Sequence, residues 1–323
     1  METGVKPSGG KTKVTVVIVT RNTSALVRAA VRSVCESGDD CAKEIVVVDN
    51  GSTDDTATAL PTEFPTVKYL RSEKNLGFAK ANNLGAQGAS GDYLLLLNSD
   101  ARLKAESLRL AVEWMNAHPE CGIAGAQLLN PDGSRQNSIA NFPTLATELL
   151  NKSLLRRLFP SRYPGKEQRF AGPVEVESVV GAFMLVRGEA WKAIGGFDER
   201  YFFFLEETDF CLATRRAGWK IFHLPQVEVW HEQGKSAKQT PAPARIEYWR
   251  SRYLYFAKNH TPFTRAALRI GLWIKLLANG FSSGLLSLVT FGRNARWRGA
   301  WEVNSALRRW HWQGCPLESG LPR

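Results

Sequence analysis

Disulfide chemistry has little to work with in this 323-residue chain. Its five cysteines, Cys35, Cys41, Cys121, Cys211 and Cys315, are odd in number, scattered and without CxxC spacing. They support neither a disulfide framework nor a zinc ribbon, so a reducing, cytosolic setting is the expectation. The first apolar run, "VTVVIVT", has only seven residues behind the polar segment "METGVKPSGGKTK". That is too short for a signal peptide or an anchor, and export is not expected. Neither GxGxxG nor GxxxxGK[ST] follows that run, so the glycine-rich phosphate loops are missing too. Acidic residues are scarce near the end: from Ala244 to Arg323 thirteen Lys and Arg stand against three Glu and no Asp. This segment therefore carries almost all of the net charge of +11, together with six of the ten tryptophans.

What is present builds a core. With 44% hydrophobic and 10% aromatic residues, the chain is not a disordered one. Up to about residue 130, short apolar runs at 13–20, 44–50, 66–72, 92–100 and 122–130 alternate with helix-length segments near 24–37, 54–60, 78–89 and 103–118. That alternation predicts a doubly wound α/β domain. A less regular part, 131–243, reads as strand 179–186, short helix 188–194, an aromatic turn, helix 206–217 and strand 219–223, preceded by a Pro- and Arg-rich loop or lid at 151–173. Four segments result: a disordered tail 1–12, a first half 13–130, a second half 131–243 and a basic aromatic helical extension 244–323. No internal repeat interrupts them.

"LLLLNSDA", Leu94 to Ala101, poses the chemical question. Four successive leucines suit a strand buried on both faces, yet the run ends on a carboxylate, which a buried apolar strand cannot leave without a partner. In open parallel sheets ligands bind at the carboxyl ends of strands. Those ends carry Thr20-Arg21-Asn22, Asp49-Asn50-Gly51-Ser52 and Asn98-Ser99-Asp100. Asp49 and Asp100 could each serve only as helix caps, but Ser52, Thr53 and Asp54 already supply capping oxygens after Asp49. A nucleotide diphosphate held here without a backbone cradle needs a cation, and Asp100 is the natural ligand for Mg²⁺ or Mn²⁺. In "FFFLEETDF", Glu206, Glu207 and Asp209 open a helix. Acidic residues favour the dipole there, but a carboxylate held against aromatic rings also gains a raised pKa and becomes a general base near neutral pH. His231, in "VEVWHEQGKS", follows a strand and precedes a polar loop, where it can be structural or a metal ligand.

These residues resemble the inverting nucleotide-sugar glycosyltransferases of family 2, with the GT-A fold. The likeness spans roughly residues 13–235 and rests on an ordered set: "VVIVTRN", "VVVDNGSTD", "NLGFAKANN", "LLLLNSDA", "GAFMLVR", "GGFDERYFFFLEETDFCLATRRAGW" and "H" with "GKS". The wording of "NLGF" (from Asn75), "LNSDA" and "GGFDE…EETDFC" is most similar to the rhamnosyltransferase branch, which uses dTDP-L-rhamnose on lipid-linked or polysaccharide acceptors. The resemblance implies that Thr20, Asn22, Asp49 and Asn75 belong to the nucleotide site. It also implies that Asn98, Ser99 and Asp100 stand for the Asp-x-Asp motif, with Asp100 on the ion. Because Asn98 replaces the first Asp, His231 gains weight as a second ligand. The family's base maps to Glu207, with Glu206 and Asp209 left open because the usual residue is Asp.

The fold class expected is thus a GT-A mixed α/β sheet with a C-terminal helical extension that associates with membranes. "IGLWIKLLANGFSSGLLSLVTF" (270–291) has the length of a span, but Lys275, Asn279, Ser282, Ser283 and glycines interrupt it. An interfacial or re-entrant helix is the expectation over residues 262–301, anchored by Arg265, Arg269, Arg293, Arg296, Arg298, Trp273, Trp297 and Trp301 at an anionic leaflet. A bundle packed on the core or on the partner of a homo-oligomer is the bland alternative. Nucleic acid is disfavoured, since the charge surrounds an apolar run. The partners expected are therefore a nucleotide-sugar donor, a glycan or polyprenyl-diphosphate-linked acceptor, and the inner face of the cell membrane. A UDP-galactose or UDP-N-acetylhexosamine donor, or an inactive membrane-attached scaffold, are the other readings; a nucleotidylyltransferase would need the glycine-rich loop that is absent.

Overall fold

The computed structural model describes residues 11–38, 40–164, 168–232 and 241–323. Eleven strands are found among them: β1 (Lys13–Thr20), β2 (Ala42–Asn50), β3 (Lys68–Ser72), β4 (Tyr93–Asn98), β5 (Ala101–Leu103), β6 (Cys121–Leu129), β7 (Ile139–Ala140), β8 (Val174–Glu175), β9 (Ser178–Val179), β10 (Phe183–Arg187) and β11 (Lys220–His231). The main sheet runs β3-β2-β1-β4-β10-β6-β11-β5, with β8 beside β11. Its first four strands are parallel, and β10 enters antiparallel between β4 and β6. The halves read from the sequence therefore share one sheet.

The four leucines behave as period-2 residues of a central strand. Leu95 and Leu97 join Val16 and Ile18 against the Ser24–Cys35 and Ser107–Ala117 helices. Leu94 and Leu96 join Val17 and Met184 under the Phe78–Ala86 and Glu206–Arg216 helices. Both faces are covered, as a parallel sheet requires.

Several expected boundaries shift for local reasons. The strand read over 92–100 stops at Asn98; the chain turns at Ser99-Asp100 and restarts as β5 at the far edge of the sheet. The strand read over 179–186 is two pieces, because Val180 bonds Ser138 O (3.0 Å) before the chain crosses into the main sheet at Phe183. The strand read over 219–223 continues to His231, its register with β6 shifting between Leu224 and Glu228. Such a bulge accommodates Pro225, which has no N–H to give the ladder. Within the loop read over 151–173 lies a helix, Lys152–Leu158, whose first N–H groups are capped by Asn151 Oδ1 at 2.9 and 3.2 Å.

The C-terminal extension is three helices, Pro241–Asn259, Pro262–Val289 and Ala295–Trp312. Trp249, Tyr255, Phe256, Leu268, Leu272, Leu276, Leu307 and Trp310 are buried in the same core cluster as Leu94 and Leu96, so the extension packs on the catalytic sheet. Residues 262–289 form one unbroken helix rather than a re-entrant pair, long and apolar enough to cross a membrane by length and composition. Only 22% of its apolar window is buried. Leu268, Leu272, Leu276, Gly280 and Ser283 face inward, whereas Ile270, Ile274, Leu277, Phe281, Leu285 and Leu288 are exposed. These two sets recur at helical spacing on opposite sides. Trp273 and Trp301 are not free anchors: Trp273 packs on the His311 ring (4.9 Å between centroids), and Arg308 lies over Trp301 (4.7 Å).

Candidate active site

The carboxyl ends of β1, β2 and β4 meet in one hydrogen-bonded arc. At the end of β1, the Thr20 and Thr23 hydroxyls are 2.8 Å apart, and Thr23 Oγ1 donates to Ser99 Oγ after β4 (3.2 Å). Asn22 adopts a left-handed backbone (φ 54°); its N–H reaches Ser52 Oγ (3.0 Å) and its Oδ1 accepts from Thr53 N–H (2.7 Å). Asp49 is wholly buried: Oδ1 accepts from Ser52 N–H (2.8 Å) and Oδ2 from Tyr69 O–H (2.5 Å). Burial and that acceptor push the Tyr69 hydroxyl pKa up. Asn50 Nδ2 donates to Asn75 Oδ1 (2.9 Å), which also accepts from Gly77 N–H (3.1 Å).

Gly77 brings this arc to the aromatic turn. At φ 83° a Cβ would sit 2.5 Å from Phe202 O, so only glycine allows the approach, and Phe78 N–H then donates to that carbonyl (2.7 Å).

Asp100 and His231 lie 131 residues apart in the chain, yet they sit side by side. The pairing of Ala101 with His231 across β5 and β11, and the bond from Glu232 N–H to Asp100 O (3.0 Å), bring His231 Nε2 to 3.3 Å from Asp100 Oδ1. Gln136, which belongs to none of the motifs read above, fixes the imidazole. Its Nε2 donates to His231 O (2.5 Å) and Asn130 Oδ1 (2.8 Å), so its Oε1, 2.9 Å from His231 Nδ1, must accept. Nδ1 is therefore protonated, which leaves Nε2 turned toward a carboxylate oxygen. Nε2 and Oδ1 so placed are a pair of groups that can ligate one cation. Asn98 Oδ1 is buried without a hydrogen-bond partner, a further vacant acceptor at the same strand end. No group of three or more His, Cys, Asp or Glu side chains is gathered among the described residues. Two protein ligands suit Mg²⁺ or Mn²⁺, which keep waters and accept substrate phosphate oxygens. The donor set thus fits a divalent ion at Asp100 and His231. The "GKS" part of the motif, 234–236, falls outside the described residues.

The acidic helix start is strained and dry. Phe204 (φ 74°) and Leu205 (φ 67°) are successive left-handed residues, a rare arrangement that clusters at active sites. They deliver Glu206 and Glu207, each with an unpartnered, buried Oε2. Burial, then the charges of Glu207 and Glu247, push the Glu206 carboxyl well above its ordinary range; burial likewise raises Glu207. Glu207 is the more accessible of the two, and its side chain lies alongside Gly181 (3.5 Å to a Cβ built there). The next residue, Ala182, accepts from Asn98 N–H (3.1 Å), which links Glu207 to the end of β4. Asp209 is occupied otherwise: Lys258 Nζ (2.6 Å) and Asn259 Nδ2 (2.8 Å) hold its two oxygens. As a third candidate base it gives way to a role tying this helix to the extension, which leaves the Glu206–Glu207 pair.

A proton retained by the Glu206–Glu207 pair makes folding pH-dependent. Above about pH 4.5, the ordinary value for Glu, the native protein keeps a proton that the unfolded chain has released. Stability therefore falls as pH rises from there through the raised native pKa. Glu206→Gln reduces that dependence, leaving the part due to buried Glu207, and is expected to raise the melting temperature relative to wild type more at pH 8 than at pH 5. Equal shifts at both pH values in thermal melts would contradict it.

The sheet thus carries a hydrogen-bonded polar arc at its strand ends, a facing Asp100–His231 pair and a buried acidic pair. The chain belongs to glycosyl transferase family 2, whose sequence pattern matches residues 15–195. It is 31% identical over 241 residues to the N-acetylglucosaminyl-diphospho-decaprenol L-rhamnosyltransferase of Mycobacterium tuberculosis, covering 70% of this chain and 78% of that one. It is also 25% identical over 191 residues to rhamnosyltransferase WbbL of Escherichia coli, covering 56% and 70%. Among solved structures, the mannosyltransferase PcManGT from Pyrobaculum calidifontis, in complex with GDP-Man and Mn²⁺, superposes with a TM-score of 0.56 at 17% identity, over 94% of this chain and 87% of that one. That likeness is one of fold.

Proposed function

We propose that this protein transfers L-rhamnose from dTDP-L-rhamnose, with inversion, to a hydroxyl of a polyprenyl-diphosphate-linked glycan during cell-envelope synthesis. The observation that carries the reading is the 31% identity, over most of both chains, to a relative named for that transfer. It is supported by the facing Asp100–His231 pair and by the buried carboxylates of Glu206 and Glu207.

The roles are as follows. Thr20, Asn22, Asn75 and the turn ordered by Asp49 receive the nucleoside, and Asn98 and Ser99 line the approach to the diphosphate. Asp100 and His231 would hold a Mg²⁺ or Mn²⁺ ion, which when bound offsets the charge of the leaving diphosphate. Glu207 accepts the proton of the acceptor hydroxyl as that oxygen bonds to the anomeric carbon. The carbon's bond to the diphosphate oxygen breaks with its electron pair, so dTDP departs and the proton stays on Glu207. Glu206, deeper and protonated, limits the negative charge beside the base.

The apolar face of the Pro262–Val289 helix lies on the cytoplasmic leaflet in this reading, peripheral rather than spanning, because its other face is committed to the core. The test is nucleotide release from dTDP-rhamnose, UDP-galactose, UDP-N-acetylglucosamine and GDP-mannose, with a short-chain N-acetylglucosaminyl lipid diphosphate and Mn²⁺, with and without chelator. Release of dTDP alone is expected. Turnover of another donor instead would reassign the sugar, and turnover of none would favour a scaffold.

A further inference from the structure

A second feature lies beside the base and is not used by the chemistry above. A cavity of about 160 Å³ opens between the 137–164 segment and the first helix of the extension. Leu205 and Thr208, which flank the Glu206–Glu207 pair in sequence, form part of its wall, and Tyr248 forms another. Lys152 and Arg156 also line it. Four residues apart on the Lys152–Leu158 helix, they share one face. Neither makes an ion pair or hydrogen bond to any described residue. The one carboxylate on the wall, Glu148, is already neutralised by Arg252 (2.8 Å). Among the described residues the cavity therefore presents two cations without an ion-pair partner and no carboxylate that is not already paired.

The opposite face of the same short helix is apolar and bare: Leu154 and Leu158, with Leu150 and Phe159 at its ends, are each more than half exposed. This patch joins the exposed face of the long helix. Leu149 packs into Gly271, where a Cβ would lie 2.6 Å from its Cδ1, and Lys275 Nζ donates to Glu148 O (3.0 Å). Exposed Ile270 and Ile274 border that junction in sequence. A cationic cavity whose wall includes the residues on either side of the acidic pair, on a short helix whose other face is apolar and exposed, is complementary to a molecule with a doubly anionic group between a polar head and a hydrocarbon chain that wraps the helix.

We propose that this cavity seats the diphosphate of the lipid-linked acceptor, with Lys152 and Arg156 as its counter-charges and the chain lying along the Leu150, Leu154 and Leu158 face. The assignment rests on the acceptor class given under Proposed function and adds the residues that bind it. Anionic membrane headgroups offer the same phosphate chemistry, so the experiment separates the two.

The full chain, with its donor site saturated by dTDP, is titrated with farnesyl diphosphate and with farnesol. Wild type is compared with Lys152→Ala/Arg156→Ala and with the charge-conserving Lys152→Arg/Arg156→Lys. The double alanine variant is expected to bind farnesyl diphosphate roughly 30-fold more weakly, about five- to tenfold per charge. Farnesol binding changes less than about twofold, the conservative variant stays near wild type, and the acceptor KM rises with little change in kcat. Unchanged farnesyl diphosphate affinity in the alanine variant, or no saturable binding to wild type, overturns the assignment. So does selective loss of binding to phosphatidylglycerol vesicles with farnesyl diphosphate affinity intact, which would give the cations to headgroups. Cation-dependent binding without sugar transfer would sink the proposed function and leave the cavity's ligand standing. Transfer with an unaltered acceptor KM in the alanine variant would do the reverse.

Discussion

Glu207→Gln is expected to lower kcat for sugar transfer by about three orders of magnitude, while the donor's KM moves by no more than about threefold. Glutamine keeps the shape and the packing against Gly181 but cannot accept a proton. A positioned base contributes on the order of 10²–10⁴ in rate. The acid limb of the pH profile gives an independent reading. The base works only when ionised, and burial raises the Glu207 pKa above its ordinary value of 4.5. Transfer should therefore rise with pH through a midpoint higher than that of an exposed glutamate, and the limb should disappear from the residual rate of the variant. If Glu206→Gln lost the limb and Glu207→Gln kept it, the roles within the pair would be exchanged.

Asp100→Ala should have an effect of similar size through different physics. In the proposed cation site, removing it would take away the carboxylate that faces His231 Nε2. Transfer is expected to fall about 10²- to 10³-fold and to lose its stimulation by Mn²⁺. The readout that does not depend on turnover is thermal. A ligand that binds only the native state stabilises it in proportion to ln(1 + [L]/Kd), so Mn²⁺ with dTDP should raise the wild-type melting temperature and leave that of Asp100→Ala nearly unmoved. Equal stabilisation of both proteins would remove Asp100 from the ion.

The parallel sheet was legible because its strands are nearly continuous apolar runs, and the polar residues just beyond them marked the crevice without any structure. Asp100 and the acidic group Glu206, Glu207 and Asp209 stand out by the same contrast, carboxylates where the local sequence is apolar, and only the family resemblance points within that group to Glu207. What stayed hidden depends on contacts between distant segments. Gln136 sits in an unremarkable polar turn, and its value lies only in the imidazole that a strand almost a hundred residues later brings to it. Asp209 looked equivalent to its neighbours because the helix start shows three acids in four positions; the Lys258 and Asn259 that occupy it come from the extension. Glycines in the long apolar helix read as weak points, whereas Gly271 is where another helix closes on it.

The rung that joins β5 to β11 also sets an order of events in biosynthesis. About one hundred residues into synthesis the chain has made Thr20, Asn22, Asp49, Asn98 and Asp100, all the strand ends that line the nucleotide crevice. His231, proposed as the second cation ligand, and the end of β11 that carries it come 131 residues after Asp100, and the helices of the extension come later still. Contacts of such sequence separation are the slow ones to form. A nascent or partly folded molecule would thus hold a nucleotide crevice with no complete cation site and no dry base.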